Sequence, residues 1–298
     1  MDARKIIGQT IESPGPAGGI SEARAHLHGM WEAVAEAWAK HADYIDTRAA
    51  GITGKLLDLS SPRPGERVLE LACGAGGVGL AAARLVTPGG EVVLSDVAAS
   101  MTAIAASRAA ALGVHNVRTR ELDLESIDER DCSFDVVLCR EGLMFAFDPA
   151  KAAREIFRVL RPGGRVALAV WGPREQNPWL KLIFDGVSAQ TGKQAPPPGR
   201  PGPFSLQDKA KLADILLGAG LADVSVSELA VSTHANSFEE WMARTTALAG
   251  PLAALLASMP EAAKQGLQVR LREAAGPYTT PTGLDFPGLT LLASAHRK

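Results

Sequence analysis

The sequence predicts an α/β protein built on a doubly wound, mostly parallel sheet. Three observations carry that expectation. Short apolar runs alternate with segments of helical spacing from Val68 to Trp171, the pattern of parallel strands covered on both faces. The first run passes directly into a glycine-rich turn, Gly74-Ala75-Gly76-Gly77-Val78-Gly79, and then a helix. Glu70, Asp96 and Asp123 fall at or near the C-terminal ends of successive strands, the rim where such sheets hold a nucleotide.

In chain order, Met1 to Ile20 lacks periodicity and is rich in Gly and Pro, so a mobile tail is expected over 1–20. Ser21 to Lys40 reads as a helix: Ser21 can cap it, and Leu27, Met30, Trp31, Val34 and Trp38 share a face. A second helix is expected from Asp46 to Leu59, and Ser61-Pro62-Arg63-Pro64-Gly65 ends this N-terminal helical lid of 21–60. The core, 61–172, then alternates: strand Val68–Ala72, helix Val78–Val86, strand Glu91–Val97, helix Ala98–Leu112, strand Asn116–Leu124, strand Phe134–Arg140. Asp148-Pro149 caps and opens the next helix, Arg161-Pro162-Gly163-Gly164 stops it, and Arg165–Trp171 is the fifth strand. The remainder, 173–298, completes the sheet with an extended segment at Val224–Val231 and a last strand at Leu289–Ala295. Helices Phe238–Leu248 and Glu261–Glu273 form an insert near 237–275 that suits a lid.

Composition narrows the function. The 298 residues are 46% hydrophobic and 21% charged with a formal net charge of -2, which gives no electrostatic pull toward nucleic acid or anionic membrane. Cys73, Cys132 and Cys139 show neither a disulfide framework nor a metal-ligand spacing, so a reducing cytoplasm and no metal are expected. No apolar stretch is long enough to span a bilayer, and no basic segment with an apolar run opens the chain.

The glycine loop poses one question: which nucleotide it holds. Gly74, Gly76 and Gly79 satisfy the literal dinucleotide fingerprint, with Asp96 near the place of its ribose-binding acid. Glu70 argues otherwise. A carboxylate at the strand end repels a pyrophosphate by about 4 kcal/mol at about 4 Å and an effective dielectric near 20, before screening, and attracts the cationic end of S-adenosylmethionine by a similar amount. Glu70 can then face the ammonium, Asp96 accept from the ribose hydroxyls and Asp123 from the adenine amino group. Gly74 and Gly76 allow close backbone approach, beside the small residues Ala72 and Cys73. Met101 and Leu124, with Val97 next to Asp96, suit the adenine faces.

At these residues the sequence resembles the class I S-adenosylmethionine-dependent methyltransferases, near the branch of ubiquinone and menaquinone C-methyltransferases. Leu69-Glu70-Leu71-Ala72-Cys73-Gly74-Ala75-Gly76 matches the first motif, Asp96 with Met101 the second-strand signature, and Asp123 the adenine-binding acid. Ser133-Phe134-Asp135 and Arg158-Val159-Leu160-Arg161-Pro162-Gly163-Gly164 match two further signatures, so that the resemblance runs from Arg48 to Trp171. It implies a Rossmann-like, seven-stranded sheet with an antiparallel last strand, and N-terminal residues that close over the donor. Cys139-Arg140-Glu141-Gly142 lacks the Asn-Pro-Pro-Tyr type of motif, which disfavours amino-group methylation of adenine or glutamine.

Methyl transfer needs positioning and, for a phenol-like acceptor, a base near the methyl group. His41, Glu141 and His234 are the candidates. His41 also reads as a helix-end histidine, His234 as a residue that follows a strand, and Glu141 with Arg140 as an ion pair shaping the pocket. Tyr44 can reach the donor's carboxylate or the acceptor, and Arg140 stands among the donor-binding residues. Trp31 and Trp38 read as lid packing. The expected partner is a small-molecule acceptor, apolar or aromatic, with monomer and homodimer both open. Two readings compete with a methyltransferase: an NAD(P)-dependent oxidoreductase, which lacks a Tyr-x-x-x-Lys-type pair, and a non-catalytic S-adenosylmethionine-binding protein.

Overall fold

The computed structural model describes residues 18–192, 194–197 and 199–298. The tail expected over 1–20 lies, up to residue 17, outside the described residues. The chain opens with α1 (Gly18–Lys40), α2 (Ala42–Arg48) and α3 (Ala50–Ser60). The core follows as β1 (Arg67–Leu71), α4 (Gly77–Leu85), β2 (Glu91–Asp96), α5 (Ala99–Ala111), β3 (Val117–Glu121), β4 (Phe134–Arg140), α6 (Pro149–Val159) and β5 (Leu160–Trp171). The last part contains α7 (Pro178–Thr191), α8 (Lys209–Gly218), β6 (Ala222–Ala230), β7 (Thr233–Ala235), α9 (Phe238–Leu248), α10 (Gly250–Ala257) and α11 (Glu261–Ala275). It ends with β8 (Thr279–Thr280), β9 (Gly283–Phe286) and β10 (Leu289–His296).

Seven strands form one sheet in the order β3-β2-β1-β4-β5-β10-β6. The strands from β3 to β5 run parallel, and β10 lies antiparallel between β5 and β6, with Leu292 opposite Ala169 and Ser227. Strand alternation sends neighbouring side chains to opposite faces. Val68, Leu94, Val136 and Leu138 meet Ile52, Leu56 and Ala105 on one side, and Leu69, Val137, Leu168 and Leu291 meet Ile156, Ile183 and Leu216 on the other. All four strand residues on each side are sealed from solvent, as the near-continuous apolar runs required.

Edges and corners follow from local chemistry. At the β3 edge Arg118 and Arg120 pair with Glu129 and Asp128, which covers the open strand with charge. Asp148 caps α6 by accepting the Lys151 N–H. Asn177 pins the turn after β5 to the last strand: its amide donates to the carbonyl of Leu289 at 3.0 Å and its carbonyl oxygen accepts the Leu289 N–H at 3.1 Å.

The N-terminal helices differ from the expectation. The helix is already formed at Gly18, the first described residue, so Ser21 lies inside it rather than at its cap. The single helix expected from Asp46 to Leu59 is broken at Ala49, and the break lets α3 lie on the sheet, with Ile52 and Leu56 fully buried. Only α1 and α2 therefore belong to a roof; α3 is a layer helix. A small sheet, β7-β9-β8, supports the insert, where Trp241 and Phe286 are fully buried with ring centroids 4.8 Å apart. Among the described residues no helix is long and apolar enough to cross a membrane.

Candidate active site

A cavity lies over the C-terminal ends of the parallel strands, floored by the glycine loop and roofed by α1, α2, α9 and α10. The roof is joined across its middle. Trp38 Nε1–H donates to the Leu248 carbonyl at 3.0 Å, and the Arg244 guanidinium stacks 3.6 Å from the Tyr44 ring centroid while donating to Glu240 and to the His234 carbonyl. Among the expected residues Tyr44, Glu70, Ala72, Cys73, Gly74, Asp96, Val97, Met101, Asp123, Leu124, Arg140 and Glu141 line the cavity. Gly76 does not line it; it is the N-cap of α4, packed against Ala105 and Leu94.

The floor is built where β1 ends. Ala72 takes a left-handed φ of 51°, Cys73 N–H donates to the Ser95 carbonyl, and Gly74 N–H donates to Asp96 Oδ2 at 2.9 Å. Gly74 has a φ of 51° as well, and a Cβ there would stand 2.9 Å from Cζ3 of Trp38. Glycine is thus required both by the backbone and by the indole lying on it. The other oxygen of Asp96 accepts the Ala98 N–H at 3.0 Å. Burial raises the pKa of Asp96, and the main-chain amides of Ala98, Gly74 and Val97 oppose that.

Glu70 is 1% exposed, and its Oε2 accepts the Gly79 N–H at 2.8 Å. Burial pushes its pKa up to about 7, against the pull of Arg140 and the Gly79 amide. The charge read into this position from sequence is therefore only partly present at neutral pH, and part of its bonding is turned inward. A second carboxylate, unanticipated from sequence, occupies the head of the loop helix. Asp46 of α2 packs its Oδ1 on Gly77 so closely that a Cβ there would collide with it, while its Oδ2 accepts from Arg108 at 2.6 Å. A carboxylate of the protein thus stands near the positive end of α4, which disfavours a phosphate there.

Arg140 and Glu141 do not pair with each other. Arg140, with its side chain 7% exposed, donates to Thr53 Oγ1 at 2.9 Å and stands 3.7 Å from Asp46 Oδ1. Glu141 pairs instead with Arg48 at 3.0 Å. At the opposite end, Arg24 of α1 bridges Asp123 and Glu125, each at 2.6 Å. Asp123 Oδ1 also accepts the Glu125 N–H at 2.8 Å.

Two of the three candidate bases lie elsewhere. His41 is the N-cap residue of α2, and His234 is an exposed residue of β7 whose Nδ1 lies 2.7 Å from Asp285; neither lines the cavity. The histidine that does is His28 of α1, half-buried near Asp123, with burial lowering its pKa. Helical periodicity marks its face only as amphipathic, so no local signal distinguished it. Trp171 at the end of β5 and Trp179 at the start of α7, with ring centroids 4.3 Å apart, line the cavity, as do Phe145 and Phe184.

Fold and site together define an α/β protein with a cavity on its strand rim, between a glycine-rich loop and a helical roof. A family model described as a methyltransferase domain matches residues 62–186. The ubiquinone/menaquinone biosynthesis C-methyltransferase UbiE of Hahella chejuensis is 32% identical over 174 residues, 57% of this chain and 68% of that protein. The protein of the same name from Ectopseudomonas mendocina is 38% identical over 133 residues, 44% of this chain and 52% of its own length. The chain thus spans about half the length of such curated relatives. Among solved structures, YcgJ of Bacillus subtilis shares the fold at a TM-score of 0.59 and 22% identity, covering 83% of this chain and 97% of that one. The chain belongs to the class I S-adenosylmethionine-dependent methyltransferases.

The residues present fit that donor. Glu70, Asp96, Asp123 and Arg140 all line the cavity, so carboxyl groups and a guanidinium face a donor that carries hydroxyls, an amino group and an amino-acid end.

Proposed function

We propose that the protein transfers the methyl group of S-adenosylmethionine to a small organic acceptor with an apolar or aromatic body, by O- or C-methylation. The observation that carries the donor half is buried Glu70, which lines the cavity beside the glycine loop while Asp46, paired with Arg108, packs on Gly77; a carboxylate there disfavours a pyrophosphate and suits a cation. In this reading Asp96 accepts from the ribose hydroxyls and Asp123 from the adenine amino group, with Val97, Met101 and Leu124 against the ring. Arg140 and Tyr44 take the carboxylate, Glu70 the ammonium, and the Ala72-Cys73-Gly74 backbone allows close approach. The donor, when bound, supplies an already activated methyl carbon. The chain's own contribution is then orientation and exclusion of water, and positioning of this kind is worth up to about 7–11 kcal/mol in favourable systems.

The acceptor half rests on the aromatic lining of the cavity, where Trp171, Trp179, Phe145 and Phe184 favour a flat apolar body over a strongly hydrated one. The competing nicotinamide reading is disfavoured by the carboxyl groups of Glu70 and Asp46 near the loop. Calorimetry with S-adenosylhomocysteine and with NAD(P) tests the proposal: binding of the former and not the latter is expected, and the reverse overturns it. Asp96→Ala should weaken S-adenosylhomocysteine by about 1–3 kcal/mol through lost hydrogen bonds to charge. Unchanged affinity removes Asp96 from the ribose. Donor binding without turnover on a library of aromatic acceptors would favour a non-catalytic binding protein.

A further inference from the structure

We propose that Glu141 takes the acceptor's proton during methyl transfer and that Arg48 is its positioning residue. This rests on the methyl-transfer reading above. Glu141 differs from the other carboxylates that line the cavity. Glu70 accepts from Gly79 N–H, Asp96 from Gly74 and Ala98, Asp123 from Glu125, and Glu125 from Phe147. A main-chain amide favours the charged form and holds the side chain in place. Among the described residues the Glu141 carboxylate alone of this lining group is held by a side chain only: Nη2 of Arg48 donates to Oε1 at 3.2 Å and Oε2 at 3.0 Å.

Its backbone is set against the donor loop. Glu141 has a left-handed φ of 59°, a conformation that a non-glycine residue keeps only where its surroundings enforce it. Its N–H donates to the Ala169 carbonyl at 2.7 Å. The next residue, Gly142, packs so tightly on Ala72 that a Cβ there would collide with the Ala72 side chain. Ala72, left-handed itself, is the first residue of the loop that would cradle the donor. The two turns are interlocked, so the carboxylate keeps register with the loop.

Arg48 is fixed from the other side. Its guanidinium lies 5.4 Å from the ring of Trp171 and 5.8 Å from that of Trp179, so two indoles and one carboxylate define its place. Trp171 is 8% exposed and its Nε1–H, buried, has no partner. The alternatives are poorly sited: His41 and His234 lie outside the cavity and His28 stands by Asp123, at the other end. In the step, the acceptor's electron pair forms the bond to the methyl carbon, and the pair of the breaking carbon–sulfur bond stays on sulfur. The acceptor's proton passes to an Oε of Glu141, and the resulting carboxyl returns it to solvent.

The acceptor being unidentified, 4-nitrophenol serves as probe, its absorbance reporting phenol against phenolate in protein saturated with S-adenosylhomocysteine. Beside the probe's oxygen the Glu141 carboxylate opposes phenolate; in Glu141→Gln, Arg48 without its counter-charge favours it. The ionisation constant of the bound probe is expected to rise about tenfold or more in Glu141→Gln, to fall in Arg48→Met, and to return to the wild-type value in Arg48→Lys. S-adenosylhomocysteine affinity, read by calorimetry, should be the same in all. Equal ionisation constants in wild type and Glu141→Gln overturn the assignment of Glu141, as does failure of the probe to bind the loaded wild type. A wild-type protein that binds no S-adenosylhomocysteine overturns the methyl-transfer reading itself.

Discussion

At the scale of single residues, the buried carboxyl of Glu70 makes stability depend on pH. Its pKa rises from an ordinary 4.5 to about 7 because burial penalises the charged form. A raised carboxyl pKa means that the folded state holds the proton longer than the unfolded one. The contribution is fully present below about pH 4.5 and is lost as pH rises through 7, a swing of roughly 3 kcal/mol. Urea unfolding of wild type and Glu70→Gln at pH 5 and pH 8 should therefore show the variant gaining about that much on the wild type between the two values. A constant difference would mean that Glu70 is ionised throughout. A cationic ligand beside Glu70 should also expel its proton near neutrality, so calorimetric enthalpies of S-adenosylmethionine binding at pH 7 should vary with the ionisation enthalpy of the buffer and lose that variation in Glu70→Gln. The glycine loop and the acids at the strand ends were legible because each stands at a fixed place relative to a strand. Asp46, Arg48, Arg24 and His28 were not, because their roles depend on where α1 and α2 come to rest, which no local pattern specifies.

At the scale of elements, the buried strands were read well and the short ones were not. Val136-Val137-Leu138 announced a strand covered on both faces, and all three are sealed from solvent. The strands β7, β8 and β9 span at most four residues, too few for a period to emerge. The break at Ala49 is hidden because Ile45, Ile52 and Leu56 continue a helical spacing across it. Helix α10 is eight residues of almost wholly apolar sequence, so no helical period marks it. The roof helix α1 depends on few polar anchors, of which Arg24 is the strongest: Glu125, 2% exposed, loses its cation if Arg24 goes. Arg24→Met should loosen α1 by about 1–2 kcal/mol, the pair being a quarter exposed on the arginine side. Hydrogen exchange of the α1 amides should then quicken by roughly 5–30-fold with α4 amides unchanged; unaltered exchange would assign the anchoring to Trp38 instead.

At the scale of the molecule, two apolar layers share one sheet. Leu56 in α3 and Ile156 in α6, both 0% exposed, lie on opposite sides of it. Replacing either with Ala should cost about 2–5 kcal/mol and lower one common unfolding transition, since neither layer has a sheet without the other. Separate transitions in calorimetry would show that the layers unfold independently. The joint between Trp38 and Leu248 has a consequence in time. Its partners stand 210 residues apart in sequence, whereas the glycine loop and its strand neighbours are drawn from the first half of the chain. Contacts of such long separation close late. A chain emerging from synthesis would hold the cradle well before the segment that covers it, and would acquire a sheltered reaction chamber only when its last third arrived.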